Sequence, residues 1–177
     1  LPYMESGPTE WERDQMKDLF NDGQIAMYVS GPWGEGQHKD KVPNQIVVPV
    51  PHGPSGTNGT ILITDSLAVF KGTGNEELAT KLAKALTSGE AQYDLDMTWG
   101  LTPILDYEKV GMTDVFYKKG NWPVFVAGIS TGGPEPMVED FKALQAVFTN
   151  MIQGIMLGEG TVDELVTQAG VELAAVR

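Results

Sequence analysis

Apolar residues recur at helical spacing in several stretches of the chain, and these stretches predict its helices. The longest stripe ends at Gly158, and the clearest one opens at Asn75 with acidic residues in its first turn, where they favour the helix dipole. Thr-x-x-Glu capping boxes that begin at Thr9 and Thr161 mark two further helix starts. The pattern predicts helices over 9–22, 75–88, 89–97 and 136–157, and a last one that opens at 161.

Short β-prone runs bounded by Gly and Pro lie between the helices. They predict strands over 25–30, 45–50 and 60–70, and an extended piece over 124–130. The polar residues around Asp65 interrupt the third run, which is typical of one strand in each of two domains with a crossing between them. Few strands among several helices indicate an α/β or α+β fold.

Composition limits the kinds of molecule that the protein can be expected to bind. The 177 residues suit one medium domain, and the formal net charge of −12 argues against nucleic acids and against anionic membrane surfaces. The absence of cysteine excludes disulfides, zinc–thiolate sites and thiol catalysis. The chain begins without an initiator Met or a signal segment, so we expect a processed or partial chain.

Two motifs with possible chemistry favour ordinary structure. Residues 70–75 follow a predicted strand and open a helix, but Glu77 stands at the third glycine position of a phosphate loop, and Glu76 would repel a phosphate at the helix N-terminus. Asp94 and Asp96 have no third ligand nearby and are interpreted as a solvated helix face. We therefore predict no metal site and no cofactor.

No enzyme signature is present. His38 and His52 lie in predicted polar loops without a Ser or an acid at triad-like spacing, and G-x-S-x-G is absent. A remote alternative is a fragment of a glycoside hydrolase, for which Glu35 and Asp65 are the one pair of carboxylates to nominate. We predict no catalytic residue.

Three tryptophans, Trp33, Trp99 and Trp122, stand at turns beside Gly or Pro. A single tryptophan of this kind is most often a lid on the core. Three in one acidic domain also fit a carbohydrate or similar small-ligand site, because an aromatic face packs against the C–H face of a sugar ring. Trp33 stands out, because the Gly31-Pro32 corner would hold its side chain exposed yet immobile.

The segment from Phe20 to Trp33 resembles the F-x-x-G-x-x-A-M…G-x-W stretch of extracellular solute-binding proteins of family 1, the maltose-binding type. These proteins deliver sugars to ABC importers. Further pieces follow in the family's order: 50–54 (P-x-P-x-G), 58–60 (the Gly-Gly position), 70–88 and 90–92 (the strand and helix after the hinge), 100–103 (G-x-L-P) and 158–165 (G-x-x-T-x-x-E-A-L).

The resemblance implies the type II periplasmic-binding-protein fold, an α/β fold whose two lobes are joined by crossing hinge strands. It covers the C-terminal half of such a protein, so an N-terminal half is expected as a further part of the same protein. By the resemblance, residues 1–60 and 109–177 belong to the C-terminal lobe and 61–108 to the N-terminal lobe, with a hinge crossing near Asp65.

The resemblance also implies the ligand-binding residues. Trp33 matches the family's sugar-stacking tryptophan, and the expected binding set comprises Gly31, Trp33, Glu35, Asn58, Gly59, Asp65, Trp99, Trp122 and Phe141. Where maltose binders carry an aromatic cluster at the start of the long C-terminal helix, this chain has Phe141 alone, which leaves maltodextrin specificity open.

The function implied is binding of a mono- or oligosaccharide and its delivery to a membrane permease by lobe closure. The location implied is periplasmic or extracellular, with a lipid anchor as one form. The alternative within the same fold is a binder of a polyamine or an organic anion. An anion binder would need cationic groups in its cleft, and arginine occurs at Arg13 and Arg177 alone.

Overall fold

The computed structural model describes residues 4, 7–56 and 59–176. Helices predominate in this part of the chain. Its helices are α1 (Arg13–Asn21), α2 (Gly34–His38), α3 (Glu76–Leu86), α4 (Gly89–Trp99), α5 (Trp122–Ile129), α6 (Phe141–Leu157) and α7 (Val162–Leu173), and a 3-10 helix spans Phe116–Lys118. Two short strands, β1 (Thr60–Ile61) and β2 (Gly132–Gly133), pair in parallel, with Thr60 opposite Gly132.

The chain divides into two compact units. The described residues of the ranges 1–27 and 136–177 form the first, here called the helical unit, and residues 28–135 form the second, called the central unit. No helix of the described residues is long and apolar enough to cross a membrane.

The predicted helices are present, with two corrected starts: α6 begins at Phe141 and not at 136, and α1 begins later than predicted. α1 begins at Arg13, because residues 7–10 form a turn closed by the Glu10 N–H on the Gly7 carbonyl at 2.9 Å. Its capping box joins Glu12 and Gln15, three residues after the predicted one at Thr9. The box predicted at Thr161 is confirmed, since Thr161 and Glu164 each accept from the other's backbone N–H.

The predicted strands are largely wrong. Within the described residues, 25–30 and 45–50 form no ladder, and 60–70 keeps the two residues of β1. β-branched and aromatic residues favour strands because their side chains pack well on a half-buried sheet. A strand also needs a neighbouring strand to pair with its backbone, and composition does not supply one. Residues 124–130 are mostly helical, since α5 carries Pro123 in its first turn, where proline's fixed φ favours a helix.

The helical unit is built on the packing of α6 against α7. Gly158 ends α6 at φ +72°, and three residues later Thr161 caps α7. Gly154 permits the close approach of the two helices, because a Cβ there would already lie 3.3 Å from Leu165 Cδ1. The buried side chains of this pair are Leu144, Val147 and Ala169.

The core of the central unit is a group of aromatic rings around Tyr107, which is fully buried. Tyr93 meets Tyr107 edge-on at 5.1 Å between ring centroids, and Phe116 meets Trp122 at 4.7 Å. The Tyr107 hydroxyl donates a hydrogen bond to the carboxylate of Asp96, which is 2% exposed. The prediction of a solvated face is therefore wrong for Asp96, which serves as a buried acceptor.

Burial controls the ionisation of this pair. It raises the pKa of Asp96 above its ordinary value, against the opposing effect of the bond from Tyr107. Burial and the neighbouring Asp96 carboxylate both raise the pKa of Tyr107 above its ordinary value of 10.0. The phenol is therefore held in its protonated, donating form.

Gly100 connects α4 to the corner that carries Trp33. It ends α4 in the left-handed region at φ +66°. A Cβ on Gly100 would lie 2.8 Å from the Trp33 Cα and 3.3 Å from the Pro32 carbonyl oxygen. The end of α4 therefore lies directly against the backbone of residues 32 and 33. Position 100 needs a glycine because of its positive φ and because a side chain would clash with this backbone.

Replacing Tyr107 by Phe should destabilise the protein by about 1–3 kcal/mol near pH 8, because the buried Asp96 carboxylate loses its donor. The raised pKa of Tyr107 contributes stability that is fully present below pH 10.0 and is lost as the pH rises through the folded-state value. The difference between wild type and variant should therefore narrow at pH 11. Urea unfolding at both pH values checks this, with Tyr117→Phe as the control. A difference that stays constant from pH 8 to pH 11 would contradict the assignment.

Replacing Gly100 by Ala should destabilise the protein more than the same change at Gly120. Both glycines have positive φ, +66° and +53°, so both variants carry the cost of a left-handed alanine, about 1 kcal/mol. Gly120 has open space around its Cα, whereas the new methyl group at Gly100 meets backbone atoms. The excess destabilisation of Gly100→Ala in urea unfolding measures the contact with the Trp33 corner. Equal destabilisation of the two variants would show that the backbone at Pro32 and Trp33 shifts to admit the methyl group without measurable cost.

Candidate functional site

The candidate site is the corner at residues 30–35, where an extended segment turns into α2. Two backbone hydrogen bonds close the corner, from Gly34 N–H to the Gly31 carbonyl at 3.0 Å and from Glu35 N–H to the Pro32 carbonyl at 3.1 Å. Proline fixes φ at its second position. The two bonds and the close approach of Gly100 together restrict the backbone of Trp33.

The indole of Trp33 folds back over Gly31. A Cβ built on Gly31 would overlap atoms of the six-membered indole ring, so a glycine is required for the ring to lie there. Trp33 is half-buried, with part of its surface open to solvent. The corner that carries the side chain therefore also supports its ring.

Glu35 places a carboxylate two residues after Trp33, on α2. Its Oε1 atom is buried, and it has no hydrogen-bond partner among the described residues. A buried acceptor without a partner costs about 1–3 kcal/mol, and such groups in folded proteins call for an explanation. An unpaired acceptor two residues after Trp33 is a candidate partner for a hydrogen-bond donor of a ligand.

His38 anchors α2 from the inside. It is 2% exposed, and its Nε2 lies 2.6 Å from the Tyr28 hydroxyl oxygen, with the two rings edge-on. The His38 ring also borders Gly34, where a Cβ would lie 3.5 Å from Nε2. The prediction that His38 lies in a polar loop is wrong, because α2 turns its ring inward. In sequence, the sign that Tyr28 could be the partner of His38 is the alternation of the 25–30 run, which directs Tyr28 away from Met27 and Val29.

The other predicted site residues are distributed over the chain. Trp99 directly precedes Gly100 and is 69% exposed, so it stands next to the corner in sequence and is open to solvent. Gly59 and Asp65 are exposed in extended segments, and Asn58 lies outside the described residues. The corner therefore brings together Gly31, Trp33 and Glu35, with Trp99 attached through Gly100.

Trp122 and Phe141 lie elsewhere. Trp122 opens α5 and packs edge-on against Phe116 and Phe125, with 4.7 and 5.7 Å between centroids. Its position is that of a lid on the aromatic core. Phe141 is the first residue of α6 in the helical unit, where Asp140 caps the helix by accepting from the Ala143 N–H at 2.9 Å.

A depression of the central unit is lined by residues other than those of the corner. It holds about 380 Å³ and is lined by residues 103–106, Glu108, Tyr117, Val126 and Ile129. Its two carboxylates are already paired, Asp106 with Lys109 at 2.9 Å and Glu108 with Lys118 at 2.5 Å. No group of three or more potential metal ligands occurs in the part of the chain that the structure describes.

Sequence comparison finds relatives among binding proteins of Brucella. Two proteins of Brucella abortus, from strain 2308 and from biovar 1 strain 9-941, and one of Brucella suis biovar 1 strain 1330 each bear the name "putative binding protein". Each is 26% identical to this chain over 172 residues, which cover 96% of the chain and 41% of the relative. The chain thus spans less than half the length of these relatives.

The family model described as bacterial extracellular solute-binding protein matches residues 3–109, which is more than half of the chain and includes the Trp33 corner. This match implies a fold of the periplasmic-binding-protein kind and an extracellular or periplasmic location. Both the family and the relatives are described as binding proteins and not as enzymes. The chain belongs to the family of bacterial extracellular solute-binding proteins.

Proposed function

We propose that the protein binds a mono- or oligosaccharide outside the cell and delivers it to the membrane permease of an ABC importer. The observation that carries the proposal is the corner at Trp33, where a partly exposed tryptophan ring is held over Gly31 and the unpaired acceptor of Glu35 follows two residues later. The protein acts from the periplasm or, with a lipid anchor, from the outer face of the cell membrane.

An aromatic platform for a sugar must be exposed and immobile at the same time. The apolar C–H face of a pyranose packs on an indole, and a ring fixed in advance loses little conformational entropy when the ligand arrives. Trp33 meets both conditions, since two turn hydrogen bonds and the close approach of Gly100 fix its backbone while part of its ring faces solvent.

The Glu35 carboxylate complements this platform. A sugar presents hydroxyl groups around the edge of its ring, and each can donate a hydrogen bond to a carboxylate oxygen. The Oε1 atom of Glu35 is buried and has no partner among the described residues, so a turn of the side chain toward the ligand would give it one. A charged acceptor for a neutral hydroxyl is also compatible with the net charge of −12.

We further propose that the chain is the C-terminal half of a two-lobed binding protein of the maltose-binding type. Residues 1–60 and 109–177 would then contribute to the C-terminal lobe, and 61–108 to the N-terminal lobe. α3 and α6, which this division assigns to different lobes, lie in different units, although the unit boundaries fall at 27/28 and 135/136. Lobe closure about the crossings would trap the sugar and present the closed form to the permease.

A polyamine is the second candidate ligand, and the same corner favours it. A cation is attracted to the face of an indole and to an unpaired carboxylate, and Trp33 and Glu35 offer both. The two candidates differ in charge, so ionic strength and a panel of ligands distinguish them.

Trp33→Ala should weaken sugar binding by about 1–3 kcal/mol, or roughly 5- to 150-fold in Kd, because the stacking surface is lost. Folding stability should fall much less, since part of Trp33 is already exposed to solvent. Titration calorimetry with glucose, maltose and maltotriose, together with thermal unfolding of the same samples, checks both. A loss of about 3–5 kcal/mol in stability with unchanged affinity would identify a core lid instead.

Gly31→Ala provides a graded form of the same experiment. Its methyl group would displace the indole without removing it, so sugar affinity should fall by a smaller factor than in Trp33→Ala. Gly36→Ala, at a position with open space on α2, is the matched control and should bind as the wild type does. Equal affinity of the Gly31 and Gly36 variants would show that the position of the ring does not matter for binding.

Sugar affinity should change less than about twofold between 50 mM and 500 mM salt, since a neutral ligand forms no ion pair for salt to screen. Spermidine serves as the comparison, because binding of a polyamine to Glu35 would weaken steeply over the same range. Tight, salt-sensitive binding of spermidine without binding of sugars would contradict a sugar ligand and favour the polyamine.

A further inference from the structure

Residues 100–107, called the return segment below, follow α4 and are bound to it through Asp96. The backbone carbonyl of Asp96 accepts from the Gly100 N–H and, at 2.8 Å, from the Leu101 N–H. The side chain of the same residue accepts from the Tyr107 hydroxyl. Asp96 therefore holds the start of the return segment with its main chain and the end of it with its carboxylate.

The middle of the return segment also depends on that carboxylate. No backbone–backbone hydrogen bond joins residues 102–105 to any other residue that the structure describes. The Ile104 N–H instead bonds to the Asp96 carboxylate, and this bond acts to lower the pKa of that group. The carboxylate thus supplies the pairing that a helix or a sheet would give to the backbone elsewhere.

Local preferences disfavour an aspartate at position 96. It lies in the last turn of α4, where the helix dipole is unfavourable for a negative charge and where no basic residue compensates. It is 2% exposed, so the carboxylate has also lost hydration. Conflicts between local preference and the fold are expected chiefly at functional or strained positions. The bonds to the return segment are what offsets the conflict here.

The return segment begins at the residue that bears on the candidate site. A Cβ on Gly100 would lie 2.8 Å from the Trp33 Cα and 3.4 Å from the Trp33 backbone nitrogen. Both residues belong to the central unit. Because packed protein transmits small shifts, a displaced return segment would move the surface against which the Trp33 backbone rests.

We infer that Asp96, which lies outside the candidate site, is a positioning residue for the ligand platform. Its carboxylate holds the return segment, and the return segment holds Gly100 against the corner that keeps the Trp33 ring over Gly31. The inference rests on the proposed function, because that function makes Trp33 the platform. Asp96 is buried, so it acts through the backbone at Gly100 and not by contact with a ligand.

Sugar affinity is measured by titration calorimetry on the complete protein as its gene encodes it, with glucose, maltose and maltotriose as probes. Asp96→Ala should weaken binding by roughly 2- to 30-fold, the range for residues that act on a site without touching its ligand. Asp96→Asn should bind within about twofold of wild type, because its amide oxygen can accept from Ile104 while its NH2 group donates to the Tyr107 hydroxyl oxygen.

Val115→Ala separates positioning from stability. Val115 is 2% exposed in the same unit and lies outside the return segment. Its truncation should lower the melting temperature through lost packing and leave the Kd within about twofold of wild type. An equal loss of affinity in Val115→Ala and Asp96→Ala would overturn the inference, because affinity would then follow stability alone.

Fluorine NMR of protein labelled with 5-fluorotryptophan reports the surroundings of the Trp33 ring without any ligand. Trp33→Phe assigns its resonance. The resonance should shift in Asp96→Ala and stay in place in Asp96→Asn and Val115→Ala, since only the first releases the return segment. If Asp96→Ala does not fold, Tyr107→Phe takes its place and should change both resonance and affinity in the same direction.

The two readouts keep this inference apart from the proposed function. A Trp33 resonance that shifts in Asp96→Ala, in a protein that binds none of the sugars, would support positioning by Asp96 and contradict the proposed ligand. Sugar binding with an unchanged resonance in Asp96→Ala would overturn the positioning role alone. A shifted resonance with unchanged sugar affinity would overturn it as well, because the position of the ring would then not affect binding.

Discussion

Backbone pairing is the constraint on which the rest of this structure depends. A helix satisfies its N–H and C=O groups within itself, whereas an extended segment must find its partners elsewhere in the fold. α6 and α7, with their caps at Gly158 and Thr161, form a well-packed pair inside the helical unit. The segment 60–70 finds a partner for its first residues alone, at β2, and its apolar side chains stay exposed beyond that point.

The candidate site does not share this dependence, because its geometry is local. The bonds that close the corner join residues three apart, and the indole of Trp33 rests on Gly31, two residues before it. Gly100 adds a distant contact from the end of α4, which lies in the same unit. If this corner is the proposed platform for a ligand, its backbone is fixed by contacts within one unit, which would lower the entropic cost of binding.

The same distinction explains what the sequence could predict. Periodicity and caps located α3, α4, α6 and α7, since both signals act over a few residues, and the family motif selected the corner at Trp33. Pairing partners are not encoded locally, so the strands at 25–30 and 45–50 were wrong for this chain. The roles of Asp96 and His38 were missed for a related reason. Their partners, Tyr107 and Tyr28, are ten or more residues away, and each pair became visible through its burial and hydrogen bond.

A preformed half-site has a consequence for how closure would work. Trp33 offers one apolar face, and Glu35 offers one acceptor, so the corner alone can engage one side of a ring. Burial of the remaining side, and of the part of the Glu35 carboxylate that is still accessible, would require walls that come from another part of the protein. Removal of water strengthens the hydrogen bond from a ligand hydroxyl to Glu35, because the local dielectric falls. The same carboxylate would penalise an empty closed state, since its buried oxygen would lack a donor there. Glu35 would thus couple closure to occupancy, so that the closed form is stable when a donor-bearing ligand lies on Trp33.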